Sequence, residues 1–272
     1  AVVSGAVTNT TGTVTSTGVT SALSLSNPGV VDAVGTLDTA VTNNAGGTFN
    51  VTGLLAAGGK AFTNAGTLNV ITADYSGIGT FANNSGGVVN LGAGRTLTAT
   101  TFNNNVGGTF VIAGNATIAG AFANNGTVDM ADGAANQVLT ISGATSGTGI
   151  YQLDLNLSDG SHDRVNAPVG VTEVHLDFNM LGSGSLLGPI VVFSGAQAGA
   201  TLTQLGLPVG GAILYSLQQS SNDVQVVSSI NPAVSGVAAS AAMTQSLIST
   251  VVNRPTSPFV SGLAAEETCS HG

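Results

Sequence analysis

Residues 40–51 read AVTNNAGGTFNV, and the phrase returns four times: AFTNAGTLNV at 61–70, TFANNSGGVVNL at 80–91, TFNNNVGGTFVI at 101–112 and AFANNGTVDM at 121–130. Each copy runs apolar–x–Asn, then one or two Gly, then apolar–x–apolar. The first anchors are Val41, Phe62, Phe81, Phe102 and Phe122, at intervals of 21, 19, 21 and 20. The second are Phe49, Leu68, Val89, Phe110 and Val128, at 19, 21, 21 and 18. Two residues further on stand Val51, Val70, Leu91, Ile112 and Met130.

Apolar–polar–apolar alternation is the mark of a strand with one buried face. A period near 20 is too short for a βαβ unit, which needs about 30 residues. It fits one coil of a parallel β-helix, with two or three short strands joined by turns. Coils stack about 4.8 Å apart, so equivalent residues form ladders. The four Phe anchors are expected to stack inside the tube, beside a Val/Leu/Ile/Met row. Asn and Gly tolerate left-handed backbone, so Asn43–Asn44, Asn64, Asn83–Asn84, Asn104 and Asn124 read as turn residues. Variation between GG and G is what a turn accepts and a strand does not.

The pattern weakens outside this stretch. Val7 to Val14 match one copy, and Pro28–Gly29 mark a longer turn. From about 135 the strands lengthen. In GTGIYQLDLNLSDGSHDRVNAP (147–168), Leu153, Leu155 and Leu157 fall on one face, with Asp154 and Asn156 on the other. In VTEVHLDFNML (171–181), Val174, Leu176 and Phe178 point inward. LLGPIVVFSG (186–195) and AILYSLQQSSNDVQVVSS (212–229) complete the block.

Composition narrows the class. Of 272 residues 39 are Gly, only 6% are charged, and four basic against thirteen acidic residues leave a net charge of −9. Four cations cannot build the basic stripe that nucleic acid demands. A hydrophobic share of 43% argues against a disordered tail. Glycines off a three-residue period exclude collagen. One cysteine, Cys269, excludes an intrachain disulfide framework. The chain is solubilised by Ser, Thr and Asn, as suits a β-rich protein outside the cytoplasm. The start lacks a basic leader segment, and the chain reads as one piece of a longer polypeptide.

The block from 140 carries a resemblance. Residues 147–155 (GTGIYQLDL), 158–165 (SDGSHDRV), 212–217 (AILYSL) and 223–226 (DVQV) resemble the pertactin-like C-terminal part of a monomeric autotransporter (type V secretion) passenger. The upstream copies are similar to that family's passenger-associated repeats. Residues 233–252 (AVSGVAASAAMTQSLISTVV), followed by NRPTSPFVSGL, resemble its linker and first barrel strand. The resemblance implies an all-β, right-handed parallel β-helix followed by a short α-helical linker. It implies β-helix repeats over 1–139, a cap or autochaperone region over 140–229, a linker over 230–254 and the start of an outer-membrane β-barrel over 255–272. It implies a surface-exposed or secreted passenger that supports its own folding and mediates adhesion. Its partners would be its own C-terminal barrel and a host-cell receptor or extracellular matrix. Seven Ser, Thr and Gln residues between 235 and 250 make the linker too polar for lipid and suit a barrel lumen.

No chemical motif emerges. The stretch from Gly87 to Thr96 lacks the lysine of a Walker A loop and carries Arg95. No nucleophile elbow, HExxH, EF-hand or RTX nonapeptide occurs. Glu173, His175 and Asp177 share one strand face, where a metal or acid–base site is conceivable, but with Val174, Leu176 and Phe178 inward they read as a solvated face. Asp159, His162, Asp163 and Arg164 read as a turn with a local Asp–Arg pair. The expectation is therefore no catalytic, cofactor-binding or metal-binding residue, and no cofactor. A polysaccharide-acting β-helix enzyme and a secreted host-receptor ligand are the alternatives. The first would need clustered carboxylates and stacking aromatics, whereas the repeats carry only Lys60, Asp74, Arg95, Asp129 and Asp132 and no Trp.

Overall fold

The computed structural model describes residues 6–8, 13–17, 24–234 and 243–245. The chain is a parallel β-solenoid of about 8 turns. By its contacts it divides into a unit of 1–208 and 215–228 and a second of 209–214 and 229–272. The solenoid belongs to the first.

The repeat phrase sets the register. Phe62 pairs with Val41 and with Phe81, Phe81 with Phe102, and Phe102 with Phe122. Val31, Phe49, Leu68, Val89, Phe110 and Val128 form the second row in unbroken parallel register. Both rows are buried. Ring centroids in this column lie 5.5 Å apart for Phe62–Phe81, which stack, 5.7 Å for the tilted pair Phe81–Phe102 and 6.4 Å for the edge-on pair Phe102–Phe122. Phe49 and Phe110 meet this column edge-on, at 5.1 Å from Phe62 and 5.5 Å from Phe122. The expected internal ladder is present.

The asparagines do something other than turn the chain. Asn43, Asn64, Asn83, Asn104 and Asn124 are buried at strand ends. Each Nδ2 donates to the Oδ1 of the next: 2.8 Å from Asn43 to Asn64, 2.9 Å to Asn83, 3.0 Å to Asn104 and 2.8 Å to Asn124. Left-handed backbone in these corners falls to glycine instead, as at Gly86 (φ 79°); among the described residues Asn136 and Ser221 are the non-glycine cases. The glycine after it has a different task. A Cβ at Gly87 would lie 2.4 Å from Asn83 Oδ1 and 2.6 Å from Asn64 O. The corner glycine thus lets one coil's backbone rest on the amide ladder of the last. Copies with a single Gly shorten this corner by two residues and keep the register on both sides.

A second ladder runs along the outer face. Asn90 Nδ2 donates to Asn69 (2.7 Å), Asn69 to Asn50 (2.8 Å) and Asn50 to Asp32 (2.7 Å). It points opposite to the inner one and stops where Val111 takes the next rung.

Parallel pairing passes residue 140 without interruption: Leu139 pairs with Ala116 and with Val165. What changes is coil length. Paired positions Val128, Tyr151, Leu176 and Gln204 are 23, 25 and 28 residues apart. The strand Arg164–Gly182 serves two faces, pairing with Val138–Ile141 near its start and with Ile150–Asn156 further on. The strand Ile190–Leu205 adds the last parallel rung. Its first residues then pair antiparallel with Asp223–Ile230, Ile190 opposite Val226 and Ser194 opposite Asp223. That pairing occupies an edge that another parallel coil would have used.

Of the second unit, Asn231 donates to Ala212 O at 2.9 Å and to Gly211 O at 2.8 Å. The linker expected over 230–254 shows helical turns at 232–234 and 243–245. Ile230 instead ends the strand Asp223–Ile230, while 235–242, 246–254, the barrel start expected over 255–272 and Cys269 lie outside the described residues. Among the described residues no helix is long and apolar enough to cross a membrane.

Candidate functional site: a buried carboxylate junction

Chemistry-bearing side chains converge where the regular repeats give way to the longer coils. Asp154, in the strand Ile150–Asn156, is fully buried although alternation places it opposite Leu153 and Leu155. Its face is covered. Gly133 N donates to Asp154 Oδ2 at 2.7 Å and Asn179 Nδ2 to Oδ1 at 2.5 Å. Asp163 is equally buried and accepts from Gln137 N (Oδ1, 2.9 Å) and Asp154 N (Oδ2, 2.9 Å). Gln137 spreads the network: its Nε2 donates to Asp132 Oδ1 at 2.8 Å, and its Oε1 accepts from Gly114 N at 3.0 Å.

Burial pushes the Asp163 carboxyl up to about 6. The charges of Asp154 and Asp132 push the same way, and the two backbone N–H donors hold it back. Both carboxylates have every oxygen engaged by a donor of the chain itself. The pair therefore holds segments 131–137, 150–156 and 163–179 together and presents no oxygen to a substrate.

The turn before it departs from expectation. No Asp–Arg ion pair forms there among the described residues. Asp159 instead accepts from Ser161 N (2.9 Å) and Oγ (2.7 Å), which holds its carboxyl below the usual range. Arg164 opens the next strand and sends Nη2 to Ser194 Oγ at 2.8 Å, and Ser194 in turn donates to Asp223 at 2.6 Å. The relay fixes the antiparallel segment to the solenoid. Strand direction separates the two: Asp163 points inward, so its neighbour Arg164 cannot share its side. His162 sets its ring nitrogens 2.8 Å from Gly160 O and 2.9 Å from Val191 O.

Glu173, His175 and Asp177 lie on the outer face, with Val174, Leu176 and Phe178 buried beneath. His175 Nε2 lies 3.4 Å from Glu173 Oε2, while Asp177 accepts from Gln152 at 3.2 Å. The three do not converge on one point, and no group of three potential metal ligands occurs among the described residues. A cleft of about 230 Å³ lies between the turn Leu157–Gly160 and the segment Ser185–Ile190. Its one carboxylate, Asp159, is already held by Ser161.

Alternation sets Asp154 on the face opposite Leu153 and Leu155, and nothing in the sequence marks Gln137 or Asn179. The available signal was modest: an Asp between two buried leucines, with a second Asp nine residues on. No protein-family model matches the chain, and no curated protein matches it.

Proposed function

We propose that the chain is part of an autotransporter passenger: a non-enzymatic β-helical stem, displayed at or released from the bacterial outer membrane, that supports its own folding and presents an adhesive surface. The observation that carries this reading is the end of the solenoid. A run of near-identical coils passes into longer ones and closes with an antiparallel segment, Ile190 against Val226 and Ser194 against Asp223. Solenoids need distinct terminal units, and a closed C-terminal end fits a block that folds first and templates the coils before it. The low charge and the outer Asn ladder support a stem rather than a groove built for polysaccharide cleavage.

The test joins the full chain to an outer-membrane barrel and exposes intact cells to protease. The expected result is a surface-accessible chain whose most resistant portion lies in the C-terminal block, with exposure lost when 140–229 are deleted. A stable fragment from the repeats, with the block digested first, overturns the assignment.

A further inference from the structure

We propose that buried Asp163, beside buried Asp154, makes the junction between the repeats and the C-terminal block a proton-sensitive lock, tight when the Asp163 carboxyl is protonated and loosened when it is charged. The geometry supports this. The two side chains are fully buried and joined through the Asp154 N–Asp163 Oδ2 bond of 2.9 Å. Three segments far apart in sequence meet on them, through Gly133, Gln137 and Asn179.

The surrounding groups supply no compensating cation. From the segment before the pair comes Asp132, linked through Gln137. From the turn come Asp159, occupied with Ser161, and His162, which faces two backbone carbonyls. From the following strand Arg164 turns away to Ser194, and Asp177 binds Gln152. Among the described residues no salt bridge reaches either carboxylate. A charged Asp163 would then sit desolvated beside like charges, and a proton on its carboxyl relieves both the desolvation and the repulsion.

The sign follows from linkage. The folded Asp163 holds its proton up to about pH 6, against 3.8 for the ordinary side chain. Its stabilising contribution is therefore complete below about 3.8 and is lost as pH rises through about 6. A displacement of roughly two units corresponds to at most roughly a hundredfold change in the folded-to-unfolded ratio.

Urea unfolding of the full chain between pH 4.5 and 7.5 tests the proposal, alongside D163N and H162Q. The midpoint of the natural chain should fall across this range. The slope should vanish in D163N and persist in H162Q, which separates it from imidazole titration in the same window. A flat natural profile, a slope that survives in D163N, or a slope lost in H162Q overturns the proposal. If D163N does not fold, carboxyl 13C NMR of the natural chain decides. One aspartate should titrate near pH 6; all of them titrating below about 4.5 overturns it.

Discussion

Between residues 40 and 130 each coil repeats the one before it; between 150 and 226 none does. Both regions bury polar side chains, and they satisfy them in different ways. The repeats place the same amide at the same corner of each coil, so every Asn donates to the next and accepts from the last. Translation alone pairs the groups. The C-terminal block has coils of 23, 25 and 28 residues, so no side chain recurs in register. Its buried Asp154 and Asp163 must each find particular donors, and they find them in turns of neighbouring coils. Regularity gives a self-satisfying polar core that can be extended indefinitely. Irregularity gives a junction that fits only one set of partners, as an end-piece requires. The inner ladder stops at this change: Asn124 is its last rung and hydrogen-bonds Tyr151, whose hydroxyl is pushed up by burial.

The largest effect should come from the aromatic column. Phe81→Ala or Phe102→Ala removes a fully buried ring in contact with the rings of both neighbouring coils. Each should cost about 3–5 kcal/mol, the range for a buried Phe whose cavity cannot collapse. Denaturant melts of the full chain measure it, and a midpoint unmoved by either change would mean the repeats do not share one core.

The amide ladders come next, and they separate inside from outside. Asn83→Ala removes the acceptor of Asn64 and the donor to Asn104, Gly87 O and Thr109 O, all in the interior. Leaving buried partners unpaired should cost about 2–3 kcal/mol. Asn69→Ala breaks the outer ladder at a half-buried position where water can replace the amide, and should cost less than about 1 kcal/mol. Equal costs for the two would show that burial is not what gives the inner ladder its weight.

How far these features were legible differs by residue. Phe62, Phe81, Phe102 and Phe122 declared themselves by period, because a ladder residue must recur once per coil. The asparagines recur as clearly, but Asn is favoured both in left-handed turns and wherever amides can stack, and spacing alone does not separate the two. Asp154 was illegible in a stronger sense. Alternation put it outward, and its burial depends on Gly133, Gln137, Asp163 and Asn179, up to 25 residues distant. The local Asp–Arg pair expected in the turn 159–164 does not form, because Asp159 is held by Ser161, Asp163 by the backbone of Gln137 and Asp154, and Arg164 reaches Ser194 instead.

The smallest effect is expected one strand from the junction. Glu173→Gln, His175→Gln and Asp177→Asn together change the same kinds of groups as at Asp154 and Asp163, on a strand paired with that of Asp154. Their setting is different. Side chains of Glu173 and His175 remain 42% and 26% exposed, and their mutual contact at 3.4 Å is a loose surface pair. Asn at 177 keeps an oxygen to accept from Gln152. Exposed pairs of this kind contribute little, and surface changes away from buried networks stay within about 0.5 kcal/mol. The triple variant should therefore melt with the natural chain, while D154N should melt earlier, because its amide sets an NH2 against the Gly133 N–H or the Asn179 Nδ2 donor. If the triple change costs more than about 1 kcal/mol, the outer face carries structure that its exposure hides. If it abolishes a polysaccharide-cleaving activity of the natural chain, that face is a catalytic site and the stem reading fails.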